Sequence, residues 1–113
     1  MADREINYIE FPAVDLDKTK AFYGNVLGWT FTDYGPKYSS FEGAGMDGGF
    51  TLDTRPISNG GVLVVLYFQQ LEELQTRISD YGCDISQPIF RFPGGRRFHF
   101  IDPNGNELAV WSE

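Results

Sequence analysis

Cysteine and histidine are almost absent, since the chain of 113 residues contains one of each. A single cysteine excludes a disulfide within the chain and any metal site built from several cysteines. Long apolar runs are missing too: the longest, Val62–Phe68, is far shorter than the roughly 18 residues that a transmembrane helix needs. The opening segment Met1–Glu5 is polar, which is unlike a signal peptide. We therefore expect a cytoplasmic protein with no membrane association.

Positive charge is also scarce. The chain contains nine Lys and Arg residues and sixteen Asp and Glu residues, which gives a net charge of −7. Such a surface repels nucleic acids and anionic membranes and favours neutral or cationic partners. Aromatic residues, by contrast, make up 16% of the chain, enough to build the core of one small domain.

The first half of the chain follows the order strand, helix, three strands. Residues 6–11 alternate as a strand does, and Pro12 should end that strand. Asp15 stands where a helix N-cap belongs, and Gly28 is suited to close the helix. Three more strands are predicted at Trp29–Thr32, Tyr38–Glu42 and Gly49–Leu52. The apolar stripe of the helix comprises Leu16, Thr19, Phe22, Tyr23, Val26 and Leu27.

The second half repeats this order after a linker at about 55–61. A strand at Val62–Phe68 precedes a helix that ends at Gly82, on which Glu73 and Arg77 face each other one turn apart. We expect Cys83, which has no nearby His or Lys in the sequence, to be buried and inert. The apolar stripe of this helix comprises Leu71, Leu74, Ile78 and Tyr81. The later strands are predicted at Cys83–Ile85, Ile89–Phe92, Arg97–Ile101 and Glu107–Trp111.

The pattern predicts an α+β fold of two βαβββ modules in a single domain, residues 1–113. Module one spans about 5–54 and module two about 62–113. One helix can cover only one face of each small sheet, so the other face is left for a second sheet or for a groove.

Three motifs carry a resemblance to a known family: Phe11–Leu16 continuing to Trp29, Gly94–Phe100, and the turn Asp102–Asn106 between two strands. With the doubled strand order, they resemble the vicinal oxygen chelate superfamily, which includes glyoxalase I, extradiol dioxygenases, and fosfomycin and bleomycin resistance proteins. The resemblance implies curled mixed sheets around a cavity, outer helices, and a homodimer.

The resemblance also implies where metal ligands would stand. They fall at Tyr8, Leu63 and Ala109, with a fourth in Phe50–Asp53, where only Asp53 could bind a cation. Leu and Ala have no donor atom and a phenol is a poor ligand. The one histidine, His99, stands at none of these positions, so we predict no metal and no cofactor.

Strand alternation predicts which side chains line the cavity. The set is aromatic with a few polar groups, which is typical of a site for an organic ligand. Glu10 and His99 are the candidates for acid–base chemistry. The predicted lining comprises Tyr8, Glu10, Leu63, Tyr67, Arg97, His99, Ala109 and Trp111.

Each of these side chains has a structural alternative. His99 could be a core histidine bonded to a carbonyl, and Glu10 could form an ion pair with Arg97 rather than act as a base or bind a cation. Tyr67 and Trp111 could serve the core or a dimer interface, and Arg96–Arg97 could be a solvated turn.

We expect a metal-independent protein that binds a small organic molecule, cationic or aromatic, as proteins of the bleomycin-resistance type do. The alternatives are a metal-dependent enzyme similar to lactoylglutathione lyase or a dioxygenase, a metal-free acid–base enzyme that uses Glu10 and His99, and a non-catalytic regulatory subunit. The sequence leaves open whether the protein is an enzyme.

Overall fold

The computed structural model describes residues 3–56 and 61–113. The chain divides into two compact units, Met1–Pro56 (module one) and Ile57–Glu113 (module two). The elements are β1 (Ile9–Pro12), α1 (Leu16–Leu27), β2 (Thr30–Asp33), β3 (Tyr38–Glu42), β4 (Gly48–Thr51), β5 (Val64–Tyr67), α2 (Leu71–Tyr81), β6 (Gln87–Phe92), β7 (Gly95–Ile101) and β8 (Glu107–Ser112). The predicted α+β fold with two βαβββ modules is confirmed. Most of the predicted linker, residues 57–60, lies outside the described residues.

Each module contains one mixed four-stranded sheet. The strand order is β1-β4-β3-β2 in module one and β5-β8-β7-β6 in module two. In both sheets the first strand runs parallel to the last strand of its module, and the other pairs are antiparallel. The two modules therefore repeat one register, so that a position in one module can be matched to a position in the other.

Helix α1 begins and ends where its sequence predicts. The carboxylate of Asp15 accepts a hydrogen bond from the backbone N–H of Lys18 at 2.9 Å, which satisfies one donor of the first turn. Gly28 takes the left-handed conformation, with φ of 75°, that ends a helix. The side chains of Thr19, Phe22, Tyr23 and Val26 are buried against the sheet.

The stripe of α2 is only partly buried. Leu71, Leu74 and Ile78 are buried, but Tyr81, the last residue of the helix, is 43% exposed. The ion pair between Glu73 and Arg77 is present at 2.9 Å. Within the described residues, no helix has the length and apolar character needed to cross a membrane.

Aromatic rings form the core of module one. Tyr23 stacks on Trp29 at 4.8 Å, Trp29 stacks on Phe41 at 4.8 Å, and Phe11 stacks on Phe50 at 5.1 Å. Trp29, Phe41 and Phe50 are all buried in this cluster of rings.

Several predicted strand boundaries differ from the structure by one to three residues, and three further differences concern individual segments. Residues Cys83–Ile85 form no strand, since their link to β7 is one backbone hydrogen bond, from Ile101 to the carbonyl of Asp84 at 2.9 Å. Pro12 does not stop β1 but is its last residue, where the missing N–H removes no interior ladder bond. Arg96 and Arg97 lie within β7 rather than in a turn, and Arg96 pairs with Glu72 of α2.

Candidate functional site

Each sheet has one face that its helix does not cover, and the register identifies the residues on it. In module two, Val65 pairs with Ala109 and Tyr67 pairs with Trp111, while His99 and Arg97 of β7 pair with Ala109 and Trp111 from the other side. Paired residues share a face. We call this surface the open face of module two; its members are Val65, Tyr67, Phe90, Phe92, Arg97, His99, Glu107, Ala109 and Trp111.

The structure thus brings five of the predicted lining residues together on the open face of module two. They are Tyr67, Arg97, His99, Ala109 and Trp111. Leu63 lies one residue before β5 and is 36% exposed. Tyr8 and Glu10 belong to module one, so the ion pair of Glu10 with Arg97 stays a prediction.

The His99 ring is bonded to a carboxylate and not to a backbone carbonyl. Its Nδ1 lies 3.0 Å from Glu107 Oε2, and Ser86 Oγ donates to the same oxygen at 3.2 Å. The His99 side chain is only 5% exposed. Among the residues that the structure describes, its Nε2 is buried and has no hydrogen-bond partner.

Arg97 lies over two aromatic rings. Its guanidinium carbon is 5.4 Å from the centre of the Phe90 ring and 5.5 Å from that of Phe92. Attraction between a cation and the negative ring faces fixes the group in this position. Its Nε is buried and has no partner within the described part of the chain.

Aromatic side chains continue this surface towards β5. Trp111 contacts Tyr67 at 5.2 Å and Phe92 at 6.3 Å, both edge to face. The Tyr67 hydroxyl donates to Glu113, and this bond raises the pKa of Tyr67 and lowers that of Glu113. Tyr67 is 50% exposed, so its ring is accessible to a ligand or to another chain.

The open face of module one carries a hydrogen-bonded group that sequence reasoning missed. Tyr38 lies across Gly49, where an added Cβ would stand 2.5 Å from its hydroxyl oxygen. That hydroxyl bonds to Tyr8 and to Glu10. Burial, followed by these two hydrogen bonds, raises the pKa of Tyr38 well above its usual range, so the phenol keeps its proton. Alternation along β3 could have placed Tyr38 on this face.

A cleft of about 450 Å³ lies beside this group. Its lining holds the carboxylates of Glu42 and Asp47 and, within the described residues, no basic side chain. Tyrosine faces and carboxylates together are suited to a cation. The lining comprises Tyr8, Tyr34, Tyr38, Ser40, Phe41, Glu42, Asp47 and Gly48.

The register relates Ala109 to a residue of module one. Ala109 pairs with Val65 and His99, and the residue with the same pairing in module one is Gly49, which pairs with Glu10 and Ser40. By this register Gly49, one residue before the expected range Phe50–Asp53, is the counterpart of Ala109.

The four positions do not fit a divalent cation. Gly49, Leu63 and Ala109 have no side-chain donor, and the Tyr8 hydroxyl is bonded to Tyr38. Elsewhere in residues 3–56 and 61–113, no group of three His, Cys, Asp or Glu side chains converges as a metal site requires.

Cys83 is half-buried rather than buried. Burial, and then the charges of Asp102 and Asp84, raises the pKa of its thiol to about 11. The thiolate is therefore scarce at neutral pH, as expected for an inert cysteine.

Comparison with known proteins gives a family match over most of the chain. The sequence model of the Glyoxalase/Bleomycin resistance protein/Dioxygenase superfamily matches residues 5–110. Comparison with curated protein sequences gave no significant match.

Solved structures share the fold at low sequence identity. The fosfomycin resistance protein FosX from Listeria monocytogenes is 19% identical, with a TM-score of 0.81 over 99% of this chain and 95% of its own. FosX has also been solved with Mn(II) and sulfate, at 21% identity and a TM-score of 0.77 over 99% of this chain and 91% of its own. Lactoylglutathione lyase from Agrobacterium tumefaciens is 22% identical, with a TM-score of 0.74 over 98% and 95%.

Proposed function

The chain belongs to the glyoxalase/bleomycin resistance protein/dioxygenase superfamily, and within it we propose that this protein binds a small organic molecule without the help of a metal ion. The observation that carries the proposal is the open face of module two. There, the half-exposed ring of Tyr67 and the partly buried rings of Phe90, Phe92 and Trp111 surround a buried histidine, and the Arg97 guanidinium lies over two of these rings. Apolar surface with a few fixed polar groups is the usual composition of a small-molecule site.

The donor set supports independence from metal. FosX has been solved with Mn(II), whereas in this chain glycine, leucine and alanine occupy three of the four positions that the family resemblance marks for metal ligands. A divalent cation needs three or four donors at fixed distances, and a single phenol does not provide them.

The two modules favour ligands of opposite charge. The cleft of module one, with Glu42, Asp47 and three tyrosines, favours the cationic ligand that the net charge suggests. The open face of module two offers Arg97 instead and favours a ligand that carries an acidic group.

A homodimer in the cytoplasm is the expected form of the protein. Two modules of this family commonly pair with a second chain. Val65 and Tyr67, which are 41% and 50% exposed, are apolar enough to favour covering by a ligand or a partner. Light scattering should give about twice 12.8 kDa at micromolar concentration; a mass near one chain would contradict the dimer.

Thermal unfolding with a small set of compounds tests binding. The set is phenylacetate, phenethylammonium and benzyl alcohol, which share a ring and differ in charge. At least one should stabilise the protein in a saturable way and without turnover, by about 2.7 kcal/mol at a hundredfold excess over Kd.

Two variants make the thermal test specific. Trp111→Ala should abolish the stabilisation by phenylacetate, the acidic member of the set, because it removes a ring from the open face of module two. Tyr81→Ala is the matched control, since that tyrosine is also exposed but lies on α2. Equal stabilisation of both variants, or none of the native protein by any compound, would contradict the proposal.

A further inference from the structure

The hydrogen bond to Glu107 fixes which nitrogen of His99 carries the proton. An ionised carboxylate can only accept, so the nitrogen that faces it, Nδ1, must carry the hydrogen. Ser86 donates to the same carboxylate oxygen and so holds it in place. In the neutral ring Nε2 is then a bare acceptor, which is the less common tautomer and needs such an anchor.

That acceptor has no donor in module two. His99 Nε2 is buried, and it has no partner within the described residues. The ring neighbours Phe90, whose centre is 5.8 Å away, and the register places Ala109 beside it; neither side chain can donate a hydrogen bond. Buried polar atoms in native proteins nearly always have a partner. Water or a bound molecule can supply the missing donor.

Arg97 offers a second unfilled group on the same strand. It lies two residues before His99 and on the same face, so the two Cα atoms are about 7 Å apart. Its guanidinium contacts the Phe90 ring, as the His99 imidazole does. A guanidinium on aromatic faces keeps its N–H groups available for an anionic oxygen.

We propose that the open face of module two binds a hydroxy acid with an aromatic or apolar body, whose carboxylate pairs with Arg97 and whose hydroxyl donates to His99 Nε2. The body of the ligand lies against Trp111 and Tyr67. This inference rests on the proposed function and names its ligand class. Because Nε2 is buried, a hydrogen bond to it forms in a low-dielectric setting, where it discriminates strongly between ligands with and without the donor.

The tautomer can be measured directly, because His99 is the one histidine in the chain. A long-range ¹H–¹⁵N spectrum of the whole protein then contains a single imidazole pattern. When the ring is neutral, we expect a protonated Nδ1 and a bare Nε2. A protonated Nε2 would overturn the inference without reference to any ligand.

Mandelate is the probe for the hydroxyl donor, and α-methoxyphenylacetate and phenylacetate are its controls. All three carry a ring and a carboxylate, but only mandelate has a hydroxyl that can donate. Mandelate should bind about tenfold more tightly than either control, as expected for one buried hydrogen bond. Mandelate alone should shift the Nε2 signal.

Two variants separate the roles of the two groups. Glu107→Gln replaces the acceptor with an amide that can donate to Nδ1, so the preference for mandelate over its methyl ether should disappear. Glu73→Gln, on the outer side of α2, is the matched control and should keep it. Arg97→Met should weaken mandelate and phenylacetate equally, by about tenfold.

The failures are distinguishable. If phenethylammonium or benzyl alcohol binds at the open face of module two but mandelate does not, the proposed function stands and the hydroxy acid is wrong. The hydroxy acid is also wrong if mandelate and its methyl ether bind equally. If none of these compounds binds, both proposals fail.

Discussion

Gly49→Ala should lower the free energy of unfolding by about 1–3 kcal/mol, the usual cost of overpacking a filled site. The added Cβ would lie 2.5 Å from the hydroxyl oxygen of Tyr38 and 2.7 Å from its Cζ, so the ring must move. The hydroxyl would then lose its bonds to Tyr8 and Glu10, and a hydrogen bond to a charged group contributes about 1.5–3 kcal/mol.

Substitutions at two other glycines provide comparisons for the stability change of Gly49→Ala. At Gly48 the added Cβ would lie 2.3 Å from the backbone oxygen of Ile9, which cannot rotate away, so Gly48→Ala should cost more than Gly49→Ala. Gly24 lies inside α1 with its nearest contact at 3.6 Å, so Gly24→Ala should stabilise by about 0.5–1 kcal/mol.

Urea denaturation at equilibrium measures all three variants, and a double-mutant cycle isolates the contact. In a Tyr38→Ala background the cost of Gly49→Ala should fall below about 0.5 kcal/mol, because the clashing ring is absent. Gly49→Ala with native stability, or an additive cycle, would refute the placement of Tyr38 across Gly49.

Three further predictions follow from the helix cap and from two shifted pKa values. Asp15→Ala should cost about 0.5–2 kcal/mol in urea denaturation through the lost N-cap of α1, and Asp17→Ala, whose side chain is 98% exposed, should cost less. Cys83 should react slowly with a thiol reagent at neutral pH and faster as the pH nears 11, because its pKa is raised; rapid reaction near pH 7 would contradict this. The pKa of Tyr38 is raised in the folded protein, so its contribution to stability is present below the pKa of 10.0 in the unfolded chain and is lost at higher pH. Tyr38→Phe should therefore flatten the decline of stability above pH 10 in alkaline denaturation curves.

The fold could be predicted from local patterns because each element carries its own boundary signals. Asp15 and Gly28 delimit α1, Gly82 ends α2, and alternation places Phe98 and Phe100 opposite His99. Strand ends were less accurate because they depend on pairing partners. Residues Cys83–Ile85 alternate like a strand but receive only one ladder bond.

The candidate site was predicted as a set of positions and not as a set of contacts. Alternation placed Arg97, His99 and Trp111 on one face. The bond between His99 and Glu107 depends on the register of β7 with β8. His99 pairs with Ala109, and Glu107 lies two residues before Ala109 on the same face, so the two side chains are diagonal neighbours. Tyr38 was missed because its role depends on a glycine in a neighbouring strand.

Ligand binding in the presence of a chelator tests metal independence most directly. Protein purified without chelator is divided, one half is treated with EDTA, and both halves are titrated with the compound that stabilises the native protein most. We predict equal Kd values in the two halves and no near-stoichiometric nickel, zinc, iron or manganese by elemental analysis. Binding that EDTA abolishes and Mn(II) restores would contradict metal independence.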